Sequence, residues 1–170
     1  MARIAMLIAP KDFRDEEYLV PKEVFEKAGH KVTTASIEKK VCTGMLGAKV
    51  LPNKAISELN AQDFDVILVV GGGGAPELSK HKPAITLLKD AKKQGNILAA
   101  ICLGPTVLAT AGVLTGCRAT VWPEPWAIKL LKDSGAEYTG MDVEACEHYV
   151  TASGPKFAKQ FAAEVMKQIH

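Results

Sequence analysis

The sequence predicts a single α/β domain over residues 1–170, with a mostly parallel sheet and helices on both faces. Two observations carry this prediction. Uninterrupted apolar runs such as RIAMLIA (3–9) and FDVILVV (64–70) are typical of strands that are covered on both sides. Between such runs lie segments whose apolar residues recur at helical spacing. Short buried strands that alternate with helices are typical of an α/β fold.

The other elements are expected in order along the chain. A helix is predicted at 15–29, ended by Gly29, and Pro21 indicates a break or a first-turn position there. A strand at 30–36 precedes a short hairpin at 39–53. Beyond residue 80 we expect a helix at 82–95, a buried strand at 96–101, a helix at 104–111, a strand at 118–122, a helix at 125–136, edge strands with a hairpin at 137–153, and a terminal helix at 154–170 with Pro155 in its first turn.

Composition and charge exclude several classes of protein. With 48% hydrophobic and 24% charged residues the chain is neither disordered nor fibrous. A net charge of +2 does not indicate a nucleic-acid partner, and no apolar run is long enough for a membrane span. No export signal is expected, because Pro10, Lys11 and Asp12 end the first apolar run early. The cysteines form no C-x-x-C pair, so reduced thiols in a cytoplasm are expected at Cys42, Cys102, Cys117 and Cys146.

The four histidines are weak candidates for catalysis or metal binding. His30, His81 and His170 lie at a helix end, in a polar loop and at the chain end, where we expect them to be solvated. His148 shares a predicted hairpin with three other ligand-type residues, Asp142, Glu144 and Cys146. The expected turn interrupts their alternation, so we expect no metal ion and no other cofactor.

Unusual residues follow three of the predicted strands. The first strand leads to Glu16 and Glu17, the strand at 64–70 ends in four glycines, and the strand at 96–101 ends at Cys102. In open α/β sheets, ligands bind outside the carboxyl ends of the strands. If the three strands are parallel neighbours, these residues meet at one edge and form a site.

Cys102 lies between a buried strand and a Gly-Pro that opens a helix. This order of residues resembles a nucleophile elbow, although Ala100 stands where such elbows usually have glycine. The free amides and the dipole of the following helix would favour the reactive thiolate. The alternative is a small apolar side chain that fills the core.

The segment GGGGAPEL (71–78) lacks the spacing of a dinucleotide-binding or P-loop motif. Its backbone amides could instead form an oxyanion hole together with the Leu103 amide. A tight turn that only lets the chain pass close to its neighbours is the alternative.

Glu17 is a candidate partner for the thiol. A protonated carboxyl group would donate a hydrogen bond to the thiolate, and the two groups would titrate as a coupled pair. Alternatively, Asp15, Glu16 and Glu17 only complement the N-terminus of their helix. Trp122 and Trp126 are expected to wall the cleft or to pack against it.

Together, FRDEEYLVP, VVGGGGAPEL, AAICLGPTVLATAGVLTG, TVWP and YVTASGP resemble the DJ-1/PfpI superfamily, and the match covers essentially the whole chain. The resemblance implies a flavodoxin-like three-layer sandwich. It implies a nucleophilic Cys102, a protonated Glu17, and oxyanion amides near Gly72 or Gly73 and at Leu103. It also implies a homodimer or a higher homo-oligomer.

The chain departs from the family at both positions where a histidine is usual. The PfpI-type peptidases have histidine where this chain has Leu103, and proteins like DJ-1 have it where this chain has Trp122. Glu77 matches an acidic residue that, in the peptidase-like branch, reaches the site of a neighbouring subunit. A Cys-His dyad is therefore not expected here.

Three hypotheses about function follow. The first is an enzyme for small reactive aldehydes or glycated adducts, of glyoxalase or deglycase type, in which Cys102 attacks and Glu17 transfers protons. The second is an intracellular cysteine peptidase, which the missing histidine disfavours. The third is a redox sensor or stress chaperone, because a reactive thiolate is readily oxidised.

Overall fold

A computed structural model describes residues 1–169. The strands are β1 Arg3–Leu7, β2 Lys11–Phe13, β3 Lys31–Ser36, β4 Cys42–Gly44, β5 Lys49–Val50, β6 Lys54–Ala55, β7 Val66–Val69, β8 Ile97–Ile101, β9 Arg118–Ala119, β10 Glu137–Tyr138, β11 Val143–Cys146 and β12 Tyr149–Ala152. The α-helices are α1 Asp15–Lys27, α2 Pro76–Ser79, α3 Lys82–Gln94, α4 Gly104–Thr110, α5 Pro125–Asp133 and α6 Ala158–Gln168.

The main sheet has seven strands in the order β11-β12-β8-β7-β1-β3-β6. All neighbours are parallel except β11 and β12, which form an antiparallel hairpin. Strands β2, β4 and β5 form a small separate sheet, and β9 pairs with β10. The predicted α/β class, with its mostly parallel sheet, is confirmed.

Each face of the sheet covers its own apolar core. Helices α1 and α6 pack against each other on one face, where Phe25 and Phe161 are fully buried. Helices α3 and α4 cover the other face with side chains such as Leu88 and Leu108. Because both faces are covered, the central strands β1, β7 and β8 are apolar along almost their whole length.

Two expectations about single elements are wrong. Pro21 lies inside an uninterrupted α1, buried, where its missing N–H leaves the Glu17 carbonyl without the usual helical donor. Packing of α1 on α6 and the sheet holds the helix together at this point. Strand β12 is not an edge strand, because it pairs in parallel with β8 and lies between β8 and β11.

The topology brings the three unusual strand ends together. Strands β1, β7 and β8 are adjacent and parallel, so the residues after them meet at one edge of the sheet. The loop and helix start after β1, the glycines after β7 and Cys102 after β8 all lie there. The convergence predicted from the sequence is confirmed.

Candidate active site

Cys102 occupies a strained turn between β8 and α4. Its φ of +63° lies in the left-handed region, which is uncommon for any residue other than glycine. Two backbone hydrogen bonds hold this conformation: the Cys102 amide donates to the Ala152 carbonyl at 2.8 Å, and the Trp122 amide donates to the Cys102 carbonyl at 2.8 Å. The side chain is 7% exposed, so it is neither free in solvent nor sealed in the core.

Glu17 lies in the first turn of α1 and points into the protein, where it is fully buried. Neither carboxyl oxygen has a partner with good hydrogen-bond geometry among residues 1–169. Burial raises the pKa of Glu17 to about 8, although the neighbouring Cys102 thiol, Arg14 and the Gly71 amide lower it in part. The Glu17 carboxyl group therefore lies inside the protein next to Cys102 and is not exposed to solvent at the N-terminus of the helix.

The thiol does not have the lowered pKa that its position before a helix favours. Burial and, second to it, negative charge on Glu17 together raise the pKa of Cys102 to about 12. The amides of Gly72 and Leu103 point at the sulfur and lower the pKa, but by less. The Cys102–Glu17 pair therefore loses its first proton near pH 8, and that proton leaves the carboxyl group.

The glycine loop leaves space for the pair. A Cβ on Gly71 would overlap the Ile101 carbonyl oxygen and lie 2.6 Å from Glu17 Oε1 and 2.7 Å from Cys102 Cβ. Gly72 has a φ of +101°, and a Cβ there would lie 2.5 Å from the backbone nitrogen of Arg14. These contacts require glycine at both positions. The loop therefore lets the backbone pass close to its neighbours and also brings the Gly72 amide next to the Cys102 sulfur.

Replacing Gly71 with alanine is expected to lower the free energy of unfolding by about 2–3 kcal/mol, because the backbone oxygen and the buried carboxyl cannot both move away. Gly73→Ala is the matched control. A Cβ at Gly73 meets nothing within 4 Å, so this change should stay within about 0.5 kcal/mol. Urea denaturation of both variants checks the difference, and equal effects would contradict the packing argument.

A cavity of about 220 Å³ opens above the thiol. Its lining is mostly apolar and is formed by Arg14, Met45, Gly72, Gly73, Cys102, Leu103, Trp122 and Pro155. Arg14 supplies the one charged side chain in this lining, and Glu16 holds its guanidinium group with bonds of 2.9 and 3.1 Å. The arrangement suits a small neutral or anionic molecule with a polar group near the amides.

Part of this lining depends on a residue whose role sequence patterns do not show. Asp15 accepts hydrogen bonds from the Leu46 and Ala48 amides, each at 2.8 Å, and so fixes the β4–β5 hairpin. That hairpin carries Met45 to the cavity. In the sequence Asp15 indicates only a favourable charge in a first helical turn, because its partners lie 31 and 33 residues away.

Other candidates lie elsewhere. Glu77 is exposed on α2, pairs with Lys80 at 3.4 Å and does not line the cavity. Trp122 walls the cavity as expected, whereas Trp126 does not. Among the described histidines none lines the cavity.

Two of the histidines expected to be solvated, His30 and His81, are only partly exposed. His30 accepts a hydrogen bond from the Ala2 amide at 3.0 Å, and the Nε2 atom of His81 is buried. His148 is exposed, and His170 lies outside the described residues. Residues 1–169 contain no group of three or more histidine, cysteine or carboxylate side chains that could hold a metal ion.

The chain matches the DJ-1/PfpI family over residues 2–168. It belongs to the DJ-1/PfpI family. It is 44% identical to an uncharacterised protein of Methanocaldococcus jannaschii, over 99% of this chain and 82% of that protein. It is 34% identical to protein/nucleic acid deglycase 2 of Escherichia coli, over 97% and 96% of the two chains. It is 28% identical to a glutathione-independent glyoxalase of Caenorhabditis elegans, over 96% and 87%.

Solved structures support the same assignment. The ThiJ/PfpI domain protein of Brachyspira murdochii superimposes with a TM-score of 0.92 at 28% identity, over 98% of this chain and 95% of that one. The flavodoxin-like arrangement implied by the resemblance is thereby confirmed. No helix among the described residues is long and apolar enough to cross a membrane.

Proposed function

We propose that this member of the DJ-1/PfpI family is a cysteine-dependent enzyme that acts on small reactive aldehydes, such as 1,2-dicarbonyls, or on their adducts with amines. One observation carries the proposal: Cys102 lies beside a buried Glu17 carboxyl that keeps its proton to about pH 8, at the base of a small apolar cavity. A base whose pKa lies close to the working pH is well suited to proton transfer. The names of the E. coli and C. elegans relatives support this substrate class.

The chemistry begins with addition of sulfur to an aldehyde carbon. As the C–S bond forms, the Glu17 carboxylate takes the thiol proton, and the electron pair of the C=O bond moves to oxygen. The amides of Gly72 and Leu103 would stabilise this oxyanion, a role that their position beside the sulfur supports. Glu17 then returns the proton to oxygen, which gives a neutral hemithioacetal.

For a 1,2-dicarbonyl the second half is an internal rearrangement. Glu17 moves the proton of the former aldehyde carbon to the neighbouring carbonyl carbon, and the hydroxyl proton of the hemithioacetal moves to the neighbouring carbonyl oxygen. The former aldehyde carbon is thereby oxidised and its neighbour is reduced. The product is a thioester of a 2-hydroxy acid, which water hydrolyses to release Cys102. Atoms and electrons balance without an external oxidant, and each proton transfer uses the same carboxyl group.

The cavity favours this function over the alternatives. A volume of about 220 Å³ fits a molecule of a few heavy atoms. Peptide cleavage needs a group that protonates the leaving amine, and no described histidine lines the cavity to do so. We therefore do not propose a peptidase.

Glu17→Gln is expected to lower kcat/KM for methylglyoxal by about 100-fold, because the thiol loses its proton acceptor. The wild-type rate should rise with pH up to about 8, as the carboxyl group ionises, and this rise should be absent in the variant. Conversion is followed at several pH values by loss of the dicarbonyl. Glu23→Gln is the control on the same helix, since Glu23 is exposed and pairs with Lys27 away from the cavity, and it should stay within about threefold.

A wild-type rate that falls as pH rises through 8 would show that the protonated carboxyl is the active form, with a thiolate as its partner. No conversion by the wild type at any pH would overturn the proposal.

We also propose that the protein works as a homo-oligomer in a cytoplasm. Exposed apolar side chains on and beside the β4–β5 hairpin support self-association, namely Val41, Met45, Leu46 and Leu51. The four cysteines are all free, as expected of a reducing compartment.

A further inference from the structure

Two of the free cysteines lie together at one side of the sheet, away from the cavity. Cys117 precedes β9, and Cys146 ends β11. Arg118 joins the two segments, because its Nη2 donates to the Ala145 carbonyl at 3.2 Å and its Nε to Glu144 Oε1 at 3.3 Å. Both sulfurs belong to the same apolar cluster, and the two residues are only 6% and 7% exposed.

The two thiols are neighbours, because the residue after Cys117 is hydrogen-bonded to the two residues before Cys146. Burial, a hydrogen bond to Cys146 and the electrostatic interaction with that sulfur together raise the pKa of Cys117 to about 11. The charge of Glu147 also raises the pKa of Cys117, whereas the charge of Lys92 lowers it weakly. The raised pKa keeps the Cys117 thiol protonated at neutral pH, so Cys117 is not the sulfur that attacks peroxide first.

Cys146 is the last residue of β11, directly before the tight turn that leads to β12. The next residue, Glu147, has a φ of +54° in that turn. Cys146 is thus held at a turn, with a second thiol as its neighbour.

We propose that Cys117 and Cys146 form a second redox site, a dithiol that peroxide converts into an intramolecular disulfide independently of Cys102. The Cys146 sulfur attacks one oxygen of the peroxide, which breaks the O–O bond and, with proton transfer, gives a sulfenic acid and one water. The Cys117 sulfur then attacks the sulfenic sulfur, and its proton leaves with the hydroxyl group as a second water. Two thiols are oxidised and one hydrogen peroxide is reduced.

This link would close a loop that contains α5 and β10. Residues 117 to 146 would be joined at their ends, and that restricts the unfolded chain more than the folded one. The oxidised protein should therefore have a higher Tm than the reduced protein, and a reductant should reverse the change. Peroxide would thus oxidise Cys117 and Cys146 at the edge of the sheet, and Cys102 would take no part in that reaction.

The test treats the reduced wild-type protein with a small molar excess of hydrogen peroxide, blocks the remaining thiols with N-ethylmaleimide in denaturant, and digests it without reductant. We expect a peptide pair joined through Cys117 and Cys146, with a mass two hydrogens below the sum of the separate peptides. Cys117→Ser and Cys146→Ser should each abolish the pair. Cys42→Ser and Cys102→Ser are the controls, and each should leave it unchanged.

Two outcomes would overturn the proposal. In one, Cys102 is oxidised while Cys117 and Cys146 are both recovered fully alkylated. In the other, Cys146 gains oxygen atoms and no linked pair forms. The Tm of the wild type gives a readout that does not depend on any variant folding, and an unchanged Tm in protein shown to carry the link would overturn the predicted stabilisation.

Discussion

Replacing Cys102 with serine should lower kcat/KM for methylglyoxal by at least about 1000-fold, the largest effect expected for any single change in this chain. An alcohol holds its proton much more firmly than a thiol, and its oxygen is a weaker nucleophile toward a carbonyl carbon. Serine fits the same turn, with its hydrogen bonds to Ala152 and Trp122, so the cavity should keep its shape. The measurement is the rate of dicarbonyl loss at saturating and at low substrate concentration.

Cys42→Ser is the matched control, because Cys42 is also buried and also free but does not line the cavity. It should retain most of the activity. If Cys102→Ser kept more than a tenth of the wild-type rate, the reaction would not depend on covalent attack by this sulfur. The proposed function would then have to be replaced by one that uses the amides or Glu17 alone.

Glu17 should make the protein less stable as the pH rises, and Glu17→Gln should remove that loss. The pKa of the carboxyl is raised from 4.5 when unfolded to about 8 when folded, so the folded state binds one more proton between these values. Protonated Glu17 makes its full contribution to the free energy of unfolding below pH 4.5. This contribution is lost as the pH rises through about 8. Over this interval the wild type should lose about 5 kcal/mol of unfolding free energy relative to the glutamine variant.

Urea unfolding of both proteins at pH 5, 7 and 9 measures this difference, since ionisations elsewhere affect both proteins alike. Glu16→Gln is the control for this stability measurement. Its hydrogen bond to Arg14 lowers the pKa of Glu16, so its contribution changes only in acid and the difference from wild type should be flat between pH 5 and 9. Parallel curves for the wild type and Glu17→Gln would show that the buried carboxyl does not keep its proton.

The burial of Glu17 has two opposite effects, one on stability and one on proton transfer. A buried carboxyl without a good partner destabilises the fold near neutral pH, and an apolar residue of similar size would be more stable. The same burial raises the pKa of Glu17 to where proton transfer is efficient. Enzymes often lose stability at catalytic residues in this way.

Local sequence patterns predict many strands and helix ends of this protein, because these features depend on interactions between residues that are close in sequence. The apolar runs mark β1, β7 and β8, since a strand covered on both faces has no polar side to show. The expected helix at 82–95 ends as predicted, because Gly95 adopts a left-handed conformation with φ +76°. Parallel pairing then fixes which strand ends meet, and for that reason the juxtaposition of Glu17, the glycine loop and Cys102 was predictable.

Tertiary structure decided what depends on distant partners. The hydrogen bonds from the hairpin to Asp15, the Arg14 and Met45 walls of the cavity, and the meeting of Cys117 with Cys146 all join residues far apart in sequence. Pro21 is accommodated inside α1 by packing that its local sequence does not show. The protonation of the Cys102–Glu17 pair also belongs here. From the sequence we predicted that Cys102 and the loop with Glu17 meet at one edge of the sheet. Burial, a property of the whole fold, decided that the carboxyl group releases its proton first.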